Sequence, residues 1–352
     1  MQPYWASWPY HRPMPRAGIV SYRLGGTDGV SIEAAKWSAA IQSLGFEVDQ
    51  IAGEGGEGVT IIEGLRLDDT VPVDVEALTD ALDGLDLIIV ENLCSLPLNP
   101  AATHAVAEVC RGRPTIMRHH DLAWQRADTA HLSLPTDDPA WRHVTINQLS
   151  VAELASRGYT ASCLYNRFDM APPSGERSST RLALGIEDHE LLVLQPTRAL
   201  PRKNVPLGLA LAESLEATFW LTGAAEDGFE PDLEELIEVA SSRFLRGSGP
   251  GTIDDAYAAA DVVVLPSTWE GFGNPAIEAI THRRPLSLAR YPVALEILAT
   301  GISAFDPTAP AELARWLRHP DPELLERNLE VARAHFDIAD LPGAIAQVIE
   351  TL

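Results

Sequence analysis

Hydrophobic and polar positions follow one another along this chain in blocks whose period changes. Gly18–Tyr22 is a short apolar run, and a glycine-rich stretch, Leu24–Val30, follows it. From Ser31 to Leu44 the apolar residues Ile32, Ala35 and Ala39, with Trp37 and Ile41 beside them, recur at helical spacing. Gly45 stands where a helix commonly ends in a left-handed residue. Phe46–Ile51 returns to a strand pattern. Strand, glycine loop, helix, strand is the opening unit of a doubly wound α/β domain.

The unit then repeats. Leu85–Val90, Pro114–His120, Val144–Asn147 and Cys163–Tyr165 read as strands, and Pro100–Arg111 and Val151–Arg157 as helices. Met170–Arg181 mixes Pro, Ser, Gly and charge without a period and reads as a linker. A second alternation begins beyond it. Strands are expected at Glu190–Gln195, Thr218–Thr222, Asp261–Leu265 and Pro285–Ala289, with helices at Pro206–Leu215, Phe229–Ser241, Asp254–Ala260 and Pro275–His282. Two or three helices finish the chain. Asp261–Leu265 is almost continuously apolar, as in a parallel strand covered on both faces. No fixed-period repeat is present. The expected architecture is α/β, with two Rossmann-like doubly wound domains facing across a cleft that is the default ligand site.

Composition narrows the function classes. The 352 residues are 46% hydrophobic and 22% charged, which excludes collagen-like, mucin-like and wholly disordered chains and fits two globular domains. Lys and Arg number 26 against 50 Asp and Glu, a net charge of −24. Such a chain lacks the excess cations with which a general surface holds nucleic acid or anionic lipid, so no nucleic-acid partner is expected. Cys94, Cys110 and Cys163 form no Cys-x-x-Cys pair, which weighs against a structural zinc site and suits a reducing cytosol. The first 17 residues hold Tyr4, Trp5, Trp8, Tyr10 and four prolines but no apolar signal core, and the longest apolar runs are too short to cross a bilayer. A cytoplasmic protein without stable membrane insertion is expected.

Two loops carry the chemistry. Pro266–Glu278 lies between a buried strand and a helix. Gly271 and Gly273 permit a sharp turn and close ligand approach, and Pro275 suits the first helical position. Amides at such a helix start can bind an anion or sugar hydroxyls, and Glu270 and Glu278 can both accept from vicinal hydroxyls. On composition alone the plainer reading is that Glu270 caps the helix and Glu278 is solvated. The second loop, Leu194–Asn204, leaves a strand for a helix and gathers Arg198, Arg202 and Lys203 in a strongly acidic protein. Cations at a helix N-terminus suit a diphosphate.

Together these loops resemble those of the retaining GT-B glycosyltransferases of family 4, the glycosyl transferases group 1. Glu270 and Glu278 match the family's Glu-x7-Glu motif, and Arg198 and Lys203 its Arg five residues before a Lys. Asn166–Asp169 looks like its Asn-Gly-Val-Asp turn, with Arg167 in place of glycine, and Tyr291–Val293 with Glu296 resembles the segment after the next strand. The resemblance runs from about Gly18 to the end. It implies an N-terminal extension at 1–17, an acceptor-side domain at 18–169, a linker at 170–188, a nucleotide-sugar domain at 189–335, and a C-terminal helix at 336–352 crossing back to the first domain.

The resemblance also implies roles. Arg198 and Lys203 neutralise the diphosphate leaving group in place of a metal, so no metal or other cofactor is expected beyond a nucleotide diphosphate sugar as co-substrate. Glu278 binds the ribose. Glu270, Gly271 and the amides of Phe272, Gly273 and Asn274 bind the donor sugar. Gly25 and Gly26 match the glycine loop after the first strand, beside Thr27 and Asp28. His120 ends a strand where the family places a histidine over the donor sugar, with His119 as its competitor. Asp28, Asp121, Trp124 and Arg126 are acceptor-side candidates. The implied reaction moves a hexose, with retention, to a hydroxyl of a small-molecule or saccharide acceptor, by a front-face route in which Glu270 is not a nucleophile. A homo-oligomer is compatible with this. The competing classes are an epimerase or hydrolase on the same fold, and a non-catalytic partner subunit. A dinucleotide oxidoreductase is disfavoured, because the first loop reads Gly25-Gly26-Thr27-Asp28-Gly29 rather than Gly-x-Gly-x-x-Gly.

Overall fold

The computed structural model describes residues 14–352 except 69 and 227. The aromatic segment at Tyr4–Tyr10 lies outside the described residues. The chain divides into two compact units, Met1–Asn166 with Ala339–Leu352, and Arg167–Ile338.

The first unit holds β1 (Arg16–Leu24), α1 (Gly29–Ser43), β2 (Glu47–Gly55), β3 (Val59–Ile61), α2 (Val75–Leu82), β4 (Leu87–Glu91), α3 (Pro100–Cys110), β5 (Thr115–His119), β6 (Trp141–Thr145), α4 (Gln148–Ala155) and β7 (Ala161–Cys163). Its strands form a parallel sheet in the order β3-β2-β1-β4-β5-β6-β7. Strand order reverses between β1 and β4, and in doubly wound sheets ligands bind beyond the carboxyl ends of the strands at that point. Val20, Ile51, Ile88 and Val90 of the sheet pack against Leu78 and Leu82 of α2 and Ala102 and Val106 of α3.

The second unit holds α5 (Arg177–Leu184), β8 (Leu192–Gln195), α6 (Val205–Ser214), β9 (Thr218–Leu221), α7 (Glu230–Val239), β10 (Phe244–Arg246), α8 (Ile253–Ala259), β11 (Val262–Leu265), α9 (Asn274–Thr281), β12 (Leu286–Leu288), α10 (Pro292–Ala299), α11 (Pro310–Arg318) and α12 (Pro322–Phe336). Its parallel sheet runs β10-β9-β8-β11-β12, with the reversal between β8 and β11. The last helix, α13 (Leu341–Ile349), belongs to the first unit and packs on α1, the return crossing that was expected.

The structure departs from the expected elements in four places. Residues 170–188 are not a bare linker. They contain α5, which is anchored by arginines rather than by an apolar stripe. Arg177 donates to the carbonyls of Ala258, Ala259 and Ala260, and Arg181, 1% exposed, donates to Ala259 O, Glu187 O and Glu190 O; both pair with Asp261. Four helices, α10 to α13, follow β12, where two or three were expected. The three-residue strands β3 and β10 are too short to show a period. Helix α2 also went unpredicted, although Asp74 caps it and Leu78 and Leu82 bury one face.

Candidate functional site

In the second unit both predicted loops leave the carboxyl ends of β8 and β11, the strands that flank the reversal. Buried Gln195 ends β8 and donates to Thr197 Oγ1 (3.2 Å) and to the Lys203 carbonyl (3.0 Å), which folds the basic loop back on its strand. The two loops are then tied by Thr268 N–H to Arg202 O at 2.8 Å.

This brings Glu270 into the basic loop. Glu270 is 7% exposed. Its Oε1 accepts from Lys203 Nζ and from Ser267 Oγ (2.6 Å), and its Oε2 from Arg202 at 3.0 Å. The plain capping reading therefore fails: Gly273 is the N-cap of α9 and no side chain caps it. Burial pulls the Lys203 ammonium below its ordinary value; the Glu270 carboxylate opposes that shift and Arg202 adds to it. Arg198, expected beside Lys203, instead pairs at 2.5 Å with Glu226, and both side chains are more than two-fifths exposed. Arg202, named with Arg198 and Lys203 in the basic loop, is the arginine that pairs with Glu270.

Gly273 has φ +101°, and an added Cβ would lie 2.3 Å from the Tyr291 hydroxyl. Glycine is required here both for the left-handed conformation and for the close approach. Tyr291 donates to the Phe272 carbonyl at 3.2 Å, and burial, with the Glu270 charge second, holds its phenol well above the ordinary value. Buried Phe272 stacks on Phe168. Phe272 thus anchors the turn from below, while Gly271 and Asn274 are half-buried on either side of the Phe272–Gly273 turn. Glu278 is half-buried and accepts from the Tyr257 hydroxyl at 2.6 Å, so it is not simply solvated.

In the first unit β4 and β5 carry a buried charge network. Arg118 is 1% exposed, and its guanidinium lies 4.4 Å over Trp37. It pairs with Glu91 (2.9 Å) and Glu33 (3.2 Å) and donates to Asn166 Oδ1 (3.2 Å). Glu33 also takes Lys36, and Glu91 takes His120 Nε2 at 2.6 Å. Burial works to raise the Glu91 carboxyl, but Arg118 and His120 outweigh it and hold the group below its ordinary value. Asn92, at φ +58°, accepts the backbone N–H groups of His120 and Asp121, both at 3.0 Å. His120 and His119 have separate surroundings. His119 Nε2 meets His143 Nδ1 at 2.8 Å, and burial, then His143, drives its pKa well down.

Gly25 (φ +75°) and Gly26 are exposed in the loop after β1, next to exposed Thr27. Asp28 is engaged as the N-cap of α1: it accepts from Val30 N, Ser31 N and Ser31 Oγ and pairs with Arg23. Asp121 and Arg126 pair at 3.0 Å. Trp124 donates to Glu153 at 2.9 Å and lies under the Arg157 guanidinium. These acceptor-side candidates are half-buried, and Asp121, Arg126 and Trp124 all sit on the segment following β5.

Sequence reasoning missed Ser267, Tyr257, Glu91 and Asn92 as parts of the site, and it named Tyr291 only within a segment that resembles the family, without a role. Glu91 and Asn92 offered a signal, since they are polar residues closing a buried apolar strand that flanks the strand-order reversal, beyond which doubly wound sheets bind ligands. Tyr257 offered none, because its place in a short helix reads as core.

Comparisons with known proteins follow the same geometry. Residues 176–319 match the family described as Glycosyl transferases group 1. A mannosylglucosylglycerate synthase of Thermotoga maritima is 26% identical, over 95% of this chain and 99% of its own length. A D-inositol 3-phosphate glycosyltransferase of Rhodococcus opacus is 33% identical over 35% of this chain and 33% of its own. Among solved structures, Anabaena HepE in complex with UDP and glucose has a TM-score of 0.75 at 18% identity, covering 97% of this chain and 100% of that one. At that identity the likeness is one of fold.

Proposed function

We propose that this chain of GT-B fold, whose residues 176–319 match the glycosyl transferases group 1, is a retaining glycosyltransferase that moves a hexose from a nucleotide diphosphate sugar to a hydroxyl of a sugar-glycerate acceptor. The observation that carries the donor reading is the Arg202–Glu270–Lys203 cluster at the strand reversal of the second unit. Lys203 is desolvated and already shifted, so an arriving diphosphate restores the balance that burial removed. Arg202 and Lys203, with Arg198 at the outer edge, then hold the charge that grows on the leaving group, and no metal is required. Both oxygens of Glu270 accept from neighbours, which makes it a poor nucleophile and favours the front-face route. The leaving diphosphate then takes the proton of the acceptor hydroxyl.

The acceptor class rests on the end-to-end likeness to two mannosylglucosylglycerate synthases, from Thermotoga maritima and Petrotoga mobilis. The test is a reaction with UDP-glucose or GDP-mannose and glucosylglycerate in EDTA, followed by NMR of the product. A new glycosidic bond with the donor's anomeric configuration supports the reading. Hydrolysis of the donor alone, or no turnover of either donor, counts against it and favours a hydrolase or a non-catalytic subunit.

A further inference from the structure

Glu278 does not stand in its helix unaided. The Tyr257 hydroxyl reaches it from α8 at 2.6 Å, and Tyr257 is 1% exposed. The Tyr257 ring lies nearly flat on the His282 ring, with centroids 4.7 Å apart and planes 20° from parallel. His282 is clamped in turn: Nε2 lies 2.9 Å from Asp254 Oδ1 and Nδ1 lies 2.8 Å from the Glu278 carbonyl oxygen. Asp254 and Tyr257 are on α8, and Glu278 and His282 flank the end of α9, so the four side chains lock two helices in one register. A buried phenol needs an acceptor, and here the acceptor is a half-buried carboxylate whose direction it thereby sets. For the stacked rings alone, a phenylalanine at 257 would serve as well. The hydroxyl is the part that packing does not explain.

We propose that Tyr257 is a positioning residue for the ribose of the donor nucleotide: its hydroxyl fixes the orientation of the Glu278 carboxylate toward the vicinal ribose hydroxyls. This rests on the reading of Glu278 as the ribose ligand. Vicinal hydroxyls demand a carboxylate in one plane, and a carboxylate free to rotate loses that match in most of its rotamers.

Tyr257→Phe keeps the ring stack on His282 and removes only the hydroxyl. The probes are UDP and GDP with their 2′-deoxy and 3′-deoxy forms, titrated calorimetrically into wild type, Tyr257→Phe and Glu278→Gln, with melting temperatures measured alongside. Tyr257→Phe is expected to weaken the preferred ribonucleotide by about 10-fold, the scale of a lost hydrogen bond to a charged group, while the deoxy forms change little. Donor KM should rise while kcat is held, the pattern of lost uniform binding. Equal weakening of ribo and deoxy forms in Tyr257→Phe overturns the proposal and assigns the residue to packing. If Glu278→Gln loses the preference for ribose while Tyr257→Phe keeps it, the positioning role fails and the ribose ligand stands. If Glu278→Gln keeps the full preference, or neither ribonucleotide binds wild type, the ribose reading fails and the proposal with it.

Discussion

Replacing Arg118 by Met probes the charge network beneath His120. The substitution retains a flexible apolar stem and removes the guanidinium. Arg118 is fully buried between Glu91 and Glu33, at 2.9 and 3.2 Å, over the Trp37 ring. Removing one partner of a buried ion pair costs about 3–5 kcal/mol, because the other charge is left uncompensated. The lost cation–π contact adds roughly 1 kcal/mol. Glu33 retains Lys36 and Glu91 retains His120, which pulls the total toward about 3–4 kcal/mol. The pH dependence has a definite sign. Glu91 is held below its ordinary value in the folded wild type, so it contributes stability above its unfolded pKa and loses that contribution as pH falls through the depressed folded value. In Arg118→Met burial dominates, the shift reverses, and protonation relieves the penalty. The gap between variant and wild type therefore narrows as pH falls through the carboxylate range. Because the chain divides into two compact units, a single global unfolding free energy is not a well-defined readout, and native-state hydrogen exchange of the β4 and β5 amides is the suitable assay. Protection there should fall by about 10²–10³-fold at neutral pH. A loss below about 1 kcal/mol, or a gap that widens on acidification, refutes the reasoning.

Two further substitutions have effects set by geometry. Gly273→Ala places a Cβ 2.3 Å from the Tyr291 hydroxyl at φ +101°, and should lower the stability of the second unit by about 2–3 kcal/mol in a thermal melt; an unchanged melt contradicts the clash. Asn99, fully buried, donates to the carbonyls of Gly64, Arg66 and Asp68 and caps α3 through Ala102 N. Asn99→Ala should loosen the segment between β3 and α2 by about 2 kcal/mol, read as faster limited proteolysis between residues 62 and 74; unaltered cleavage there counts against the clamp.

The strands were legible where they are buried on both faces. Val262–Leu265 and Leu87–Glu91 are near-continuous apolar runs, and the glycine loop and capped helix after β1 announce a doubly wound sheet. What failed to show was structure held by polar groups. Helix α5 hangs on arginines that cap carbonyls, so no apolar stripe advertised it. In the site, spacing brought Lys203 and Glu270 forward as separate ligands, but it could not say that they face each other. Nor could it say that Arg202, rather than Arg198, completes the cluster, because the side chains leave irregular loops with no period. The same limit hid Asp28: an aspartate before a helix reads equally as cap or ligand, and the backbone amides it accepts from make it the cap.

The central claim is that the basic loop after β8 receives a diphosphate. The measurement that tests it most directly is calorimetric titration of wild type and Lys203→Met, in EDTA, with UDP and GDP and their monophosphates. Wild type should prefer one diphosphate over its monophosphate. Lys203→Met should lose that preference and bind the diphosphate about 10²-fold more weakly, as expected for a half-buried charge pair lost to a ligand phosphate. Its fold should persist, because Arg202 and Ser267 remain on Glu270. Equal diphosphate affinity in the two proteins, or no preference for the diphosphate in wild type, contradicts the account.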